Sequence, residues 1–142
     1  MGSANLLAGR SVLVVEDEPL IAFGMAELIA DCGGRSLLVR TCRKAVQLSE
    51  TEHLSAAILD CGCGGVHQIT ALCGHLAKRQ IPRMFYTGYD NVDESFRGVL
   101  LVRKPATGEA LLRALTQLIL PSRALPAPTR HYSIPTASTS CS

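Results

Sequence analysis

Four apolar residues, Ala56-Ala57-Ile58-Leu59, run directly into Asp60, and Cys61-Gly62-Cys63-Gly64-Gly65 follows at once. A short unbroken apolar run bounded by glycines marks a strand buried on both faces, as in a parallel sheet. Three further runs share the plan. Val12-Leu13-Val14-Val15 leads into Glu16-Asp17-Glu18, Met84-Phe85-Tyr86 into Thr87-Gly88, and Val99-Leu100-Leu101-Val102 into Arg103-Lys104-Pro105. Open α/β sheets place their chemistry beyond the carboxyl ends of the strands. The pattern therefore predicts acids, a hydroxyl and an ammonium group gathered at one crevice.

The segments between these runs read as helices. The first strand covers about Ser11 to Val15. Pro19 suits a first helical position, Ile21, Met25, Leu28 and Cys32 form an inward stripe, and Gly33-Gly34 stops the helix. A second strand, about Ser36 to Arg40, has a shorter apolar run and fits a sheet edge. Thr41 caps a second helix through about Ser49. A third helix runs from about Val66 to Arg79 with Ile69, Leu72 and Leu76 buried, and Ile81-Pro82 leads into a fourth strand, about Arg83 to Tyr86. The polar stretch Tyr89 to Gly98 predicts a short, mobile helix. A fifth strand, Val99 to Val102, precedes a last helix from about Thr107, with Leu111, Leu115 and Leu118 as its stripe and Pro121 at its end. Alternation of this kind predicts an α/β fold, and right-handed crossovers favour a doubly wound, five-stranded parallel sheet of order 2-1-3-4-5. In that order the first and third strands are neighbours, so Asp17 and Asp60 face one crevice.

Bulk properties narrow the function. At 142 residues the chain fits one domain, expected over 10–120 between a flexible leader, 1–9, and a tail, 121–142. The tail holds four Pro, five Ser and three Thr and is expected to be disordered. Its Arg123 and Arg130 account for the whole net charge of +2: removing them from 14 basic residues leaves 12 against 12 acidic ones. A neutral body lacks the footprint of a nucleic-acid binder. No apolar run approaches the roughly 20 residues that span a bilayer, and a secretory signal is missing, so a cytoplasmic location is expected. Met1-Gly2 is no myristoylation signal, because Leu6 stands where Ser or Thr is needed. The six cysteines show no disulfide framework and no C-x-x-C pair, and read as free thiols.

Several carboxylates in one crevice repel each other unless a cation joins them. Hard oxygen ligands suit Mg²⁺, which takes one or two carboxylates together with a phosphate. Lys104 adds a positive charge and Thr87 a hydroxyl donor, the groups that a phosphoryl unit needs around its oxygens. A central carboxylate can itself be the nucleophile and form an acyl phosphate.

At these residues the chain resembles the response-regulator receiver domains of two-component signalling. The likeness spans about Arg10 to Leu120. It rests on Val-Leu-Val-Val-Glu16-Asp17-Glu18-Pro19, Ile-Leu-Asp60, Tyr-Thr87-Gly-Tyr and Lys104-Pro105 in the family's order and spacing. The resemblance implies the flavodoxin-like receiver fold, with Asp60 as phosphoacceptor. It implies Mg²⁺ held by Asp17, Glu16, Asp60 and the backbone carbonyl of Gly62, with Thr87 and Lys104 reaching the phosphoryl group. The partners implied are a histidine kinase or phosphotransfer protein and a downstream protein target, with a homodimer left open. Nucleic acid and membrane are not expected partners. The chain would not be an enzyme beyond its own phosphorylation and dephosphorylation. It is expected to be a stand-alone receiver whose helix four–strand five–helix five face rearranges on phosphorylation. Three positions depart from the family pattern. Leu101 stands where an aromatic is usual, Cys61-Gly62-Cys63-Gly64-Gly65 replaces the usual Met-Pro, and Ala106 stands where Phe is common. Tyr86 or Tyr89 is then expected to take the aromatic role.

Other readings carry less. An acid after a strand is commonly a turn or cap, and Glu18 suits a helix N-terminus. Cys61, Cys63, His67, Cys73 and His75 offer Zn²⁺ ligands in number, but residues 73 and 75 of a helix face different sides. G-x-G-x-x-G is incomplete at His67, and no P-loop is present. The alternatives are a non-phosphorylated pseudo-receiver that acts as an interaction module, and a thiol-rich metal or redox sensor.

Overall fold

The structure, a computed structural model, describes residues 5–88 and 99–120. Five strands, β1 (Ser11–Val15), β2 (Arg35–Val39), β3 (Ala56–Leu59), β4 (Arg83–Thr87) and β5 (Leu100–Arg103), form one sheet. All pairings are parallel and the order is β2-β1-β3-β4-β5, as expected. Among the described residues, α1 (Pro19–Asp31), α2 (Cys42–Thr51) and α3 (Gly65–Lys78) fill crossovers, and α4 (Gly108–Ile119) follows β5. The helix expected within 89–98 lies outside the described residues, as does the tail from 121.

Strand alternation divides the core in two. Val12, Val14, Ile58, Met84 and Tyr86 pack under α1 and α4, whereas Leu13, Val15, Leu59 and Phe85 pack under α2 and α3. Central β1 and β3 are buried on both faces, which is why they read as unbroken apolar runs. Edge strand β2 keeps only Val39 fully buried, matching its shorter run. Each large aliphatic side chain buried this way contributes roughly 1.5–3 kcal/mol.

Two expectations are corrected. The inward stripe of α1 is Ala22, Met25, Ile29 and Cys32, while Ile21 and Leu28 sit on its flank, partly buried. Leu28 instead lies beside Gly108 at the start of α4. The leader is not wholly loose either. Leu7 is fully buried, and its N–H donates to the carbonyl of Cys32 at 2.8 Å. Its side chain occupies the gap left by Gly34, where an added Cβ would lie 2.9 Å from Leu7 Cβ.

The helix starts are locally encoded. Thr41 and Thr107 accept hydrogen bonds from the N–H groups of Lys44 and Ala110, capping α2 and α4. The loop from β3 into α3 instead turns on Gly64 and Gly65, at φ +84° and +85°. Two consecutive left-handed residues are readily accepted only by glycine. That geometry accounts for Gly64-Gly65 at the end of the loop.

Candidate functional site

The carboxyl ends of β1, β3, β4 and β5 bring the chemistry together. Glu16 follows β1, is 2% exposed, and donates its N–H to Val39 at 3.0 Å. Asp60 follows β3, and its N–H donates to Val15 at 3.1 Å, fixing the two acids on neighbouring strands. Asp17 stands beside them, exposed. Carboxylate oxygens of Glu16, Asp17 and Asp60 lie within 4.8 Å of one another, so the acids expected in one crevice do meet there.

One ammonium group faces the three acids. Lys104 Nζ donates to Glu16 Oε1 at 3.0 Å and to Asp60 Oδ2 at 3.4 Å. It also lies 5.6 Å from the centroid of the Tyr86 ring, within cation–π range. The Tyr86 hydroxyl accepts from the Ala106 N–H at 3.2 Å, bracing the Lys104–Pro105 segment, whose peptide bond is cis. The remaining acid oxygens lean on backbone. Asp60 Oδ1 accepts from the Gly62 N–H at 3.1 Å, and Glu16 Oε2 from the Glu18 N–H at 3.2 Å.

Electrostatics follow from burial. Desolvation, then the nearby Asp60 charge, raises the Glu16 pKa, while the Lys104 hydrogen bond opposes both. Burial alone would lower the Lys104 pKa, but the bonds and charges of Glu16 and Asp60 outweigh it, and the net shift is upward. Lys104 is therefore firmly charged. Three carboxylates against one ammonium leave an excess of two negative charges when all are ionised. That donor set, hard oxygens with a two-unit excess, fits a divalent cation such as Mg²⁺.

Thr87 closes the crevice at the end of β4. It is fully buried next to Cys61, whose thiol pKa burial raises and a Thr87 side-chain interaction opposes. Gly62 meets the site through its N–H, on Asp60. Tyr86 does not replace the aromatic missing at Leu101. It projects to the α1–α4 face, whereas Leu101 pairs with Phe85 and packs on the α2–α3 face. Adjacent strand residues point to opposite faces, so neither can fill the other's place. Tyr89 lies outside the described residues.

The soft-metal alternative does not assemble. Among the described residues, Glu16, Asp17 and Asp60 form the one group of three or more potential ligands that converge. Burial pushes the Cys61 thiol up to about 12 and the Cys63 thiol up to about 11, the wrong direction for thiolate ligands. Cys63 is instead engaged locally, its thiol donating to the Arg40 carbonyl at 3.1 Å.

Sequence reasoning did not foresee the Tyr86 contact with Lys104 or the Cys61–Thr87 interaction. The latter was open to inference, because continuing the register Leu59↔Phe85 by two residues sets position 61 opposite 87.

No family model matches the chain, and no curated protein matches it. Solved structures do. The BeF3-activated conformation of SdrG from Pseudomonas melonis Fr1 is 34% identical, with 80% of this chain and 98% of that chain covered and a TM-score of 0.69. The non-phosphorylated HemR receiver domain from Leptospira biflexa is 21% identical, covering 85% and 99%, with a TM-score of 0.68. A CheY-like response regulator receiver domain protein from Methanospirillum hungatei JF-1 is 17% identical, covering 76% and 91%, with a TM-score of 0.67. The last two share the fold; the identity and coverage of the first, joined to the crevice of acids at the strand ends, place this chain among the response-regulator receiver domains of two-component signalling.

Proposed function

We propose that the chain is a phospho-accepting receiver and that Asp60 is its phosphoacceptor. The observation that carries this reading is the Asp60 carboxylate held between Glu16, Asp17 and Lys104 at the carboxyl edge of the sheet. An Asp60 carboxylate oxygen attacks the phosphorus of a phosphohistidine on a kinase or phosphotransfer protein. The phosphorus–nitrogen bond breaks, its electron pair stays on the imidazole, and an acyl phosphate remains on Asp60. Glu16, Asp17, Asp60 and the Gly62 carbonyl would hold Mg²⁺. When bound, that ion neutralises phosphoryl oxygens and keeps them aligned for transfer.

The protein's own groups do the rest. Lys104, already bonded to Asp60, neutralises charge on the acceptor and is placed to pair with the phosphoryl group. Thr87, buried at the end of β4, supplies a hydroxyl donor for the phosphoryl group. The relative SdrG has a BeF3-activated conformation, which supports the same kind of activation here. Because Leu101 cannot act as an aromatic reporter, the phosphorylated state is read through other contacts by a downstream protein. The signalling unit is residues 10–120, joined by the packed turn around Leu7.

Intact-mass measurement with a small phosphodonor tests this. Wild type should gain one phosphate only with Mg²⁺, and Asp60→Asn should gain none. No gain by wild type at any Mg²⁺ concentration would favour the pseudo-receiver.

A further inference from the structure

We propose that Tyr86 is a positioning residue that holds the Lys104 ammonium at the crevice and so strengthens capture of the phosphoryl group. The proposal rests on the reading of Asp60 as phosphoacceptor and deepens it. Val102 pairs with Tyr86 in the sheet, and Lys104, two residues further on, keeps to the face that Tyr86 occupies. The tyrosine is 7% exposed, and its ring centroid lies 5.6 Å from Lys104 Nζ. The same Nζ donates to Glu16 Oε1 at 3.0 Å and to Asp60 Oδ2 at 3.4 Å.

A lysine carries its charge on a long flexible stem, so fixing that charge against a phosphoryl oxygen costs side-chain entropy. The Tyr86 ring meets part of that cost before the phosphoryl group arrives, because its electron-rich face attracts the cation. The ring in turn needs an anchor. A cleft of about 400 Å³ between α1 and α4 is lined by Tyr86, Met25, Ala106 and Leu111, so the ring borders open space. Its hydroxyl accepts from the Ala106 N–H at 3.2 Å, which ties it to the segment that carries Lys104. That bond keeps the ring against the ammonium and out of the cleft. Loss of the ring should therefore weaken capture of a phosphoryl group and spare Mg²⁺, since the ammonium competes with a metal ion for Glu16 and Asp60.

Amide NMR of the full chain follows two titrations of wild type, Tyr86→Phe and Tyr86→Leu. The first is Mg²⁺ alone; the second is beryllofluoride, a phosphoryl mimic, at saturating Mg²⁺. Tyr86→Leu should bind the mimic about three- to tenfold more weakly than wild type, the scale of one partly desolvated cation–π contact. It should bind Mg²⁺ no more weakly. Tyr86→Phe keeps the ring and loses its anchor, and should bind the mimic no more tightly than wild type but more tightly than Tyr86→Leu. Unchanged mimic affinity in Tyr86→Leu would overturn the proposal. An equal loss of Mg²⁺ affinity would overturn it too, as the mark of a merely structural role, and so would Tyr86→Phe binding as weakly as Tyr86→Leu. If Tyr86→Leu does not fold, lysine-labelled wild type decides the matter. A ring shields protons near its face, so the Lys104 ε-methylene should resonate upfield of those of the exposed Lys44 and Lys78. Coincidence of the three signals would overturn the proposal. Failure of wild type to bind the mimic with Mg²⁺ would overturn the receiver reading, whereas the lysine signals would still judge the hold of Tyr86 on Lys104.

Discussion

Lys104 bears on three side chains at once, and its loss separates the roles of charge and packing. Its side chain is 17% exposed and pairs with Glu16, which is 2% exposed. Lys104→Met keeps the apolar stem but leaves the acids without their cation, and should cost about 2 kcal/mol in Mg²⁺-free buffer. Added Mg²⁺ should raise the melting temperature of this variant more than that of wild type, since the divalent ion then relieves the greater repulsion. Equal increments in the two proteins would contradict the electrostatic account. The thiols give a second test at this scale. Cys61 has a pKa raised from 9.0 to about 12, so folding favours its neutral form. A raised pKa contributes stability that is complete below pH 9 and is lost as pH climbs toward 12. Cys63, raised to about 11, adds to the same loss. Denaturant melts across that alkaline window should show falling stability, and native Cys61 and Cys63 should react with a thiol reagent far more slowly than in the unfolded chain. At the residue scale, the acids and Lys104 were legible because charged groups at the ends of apolar runs have little reason to gather unless they act together. Cys61 and Tyr86 were not, because a thiol and a tyrosine beside a core are ordinary core residues until the register says what they touch.

Elements were read well where period and caps agreed. Thr41 and Thr107 marked helix starts because a hydroxyl before an apolar stripe has a specific partner, the third N–H of the helix. The α1 stripe was misplaced by one position because Ile21 and Leu28 outrank Ala22 in hydrophobicity, while packing against a flat sheet rewards a small residue. Leu7 was missed because two adjacent leucines in a short segment carry no period. Leu7→Ala should cost about 2–5 kcal/mol by chemical denaturation, as expected for a fully buried leucine. A cost near zero would show that the segment before β1 is not part of the folded unit. Gly64 tests the other end of β3. At φ +84°, an added Cβ would also lie 2.8 Å from the Gln68 side chain and 3.3 Å from Cys42 Sγ. Gly64→Ala should lower stability by about 1–2 kcal/mol. It should also slow phosphorylation, because the same loop presents the Gly62 N–H to Asp60.

The whole molecule follows from one topological fact. A parallel sheet of order β2-β1-β3-β4-β5 sets the strand ends in a single row, and Glu16, Asp60, Thr87 and Lys104 stand just at or beyond four of those ends. That arrangement was readable because unbroken apolar runs and short crossovers leave few ways to pack. How the proposed phosphorylation would be read out was less legible, since Leu101 stands where the family usually has an aromatic. The central claim is that Asp60 accepts the phosphoryl group, and borohydride trapping tests it most directly. The protein is phosphorylated with a small donor and Mg²⁺, treated with borohydride, which reduces an aspartyl phosphate to homoserine, and mapped by peptide mass spectrometry. Homoserine at position 60, absent without Mg²⁺ and absent at position 17, is the result expected. Homoserine at another aspartate, or at none, would contradict the account.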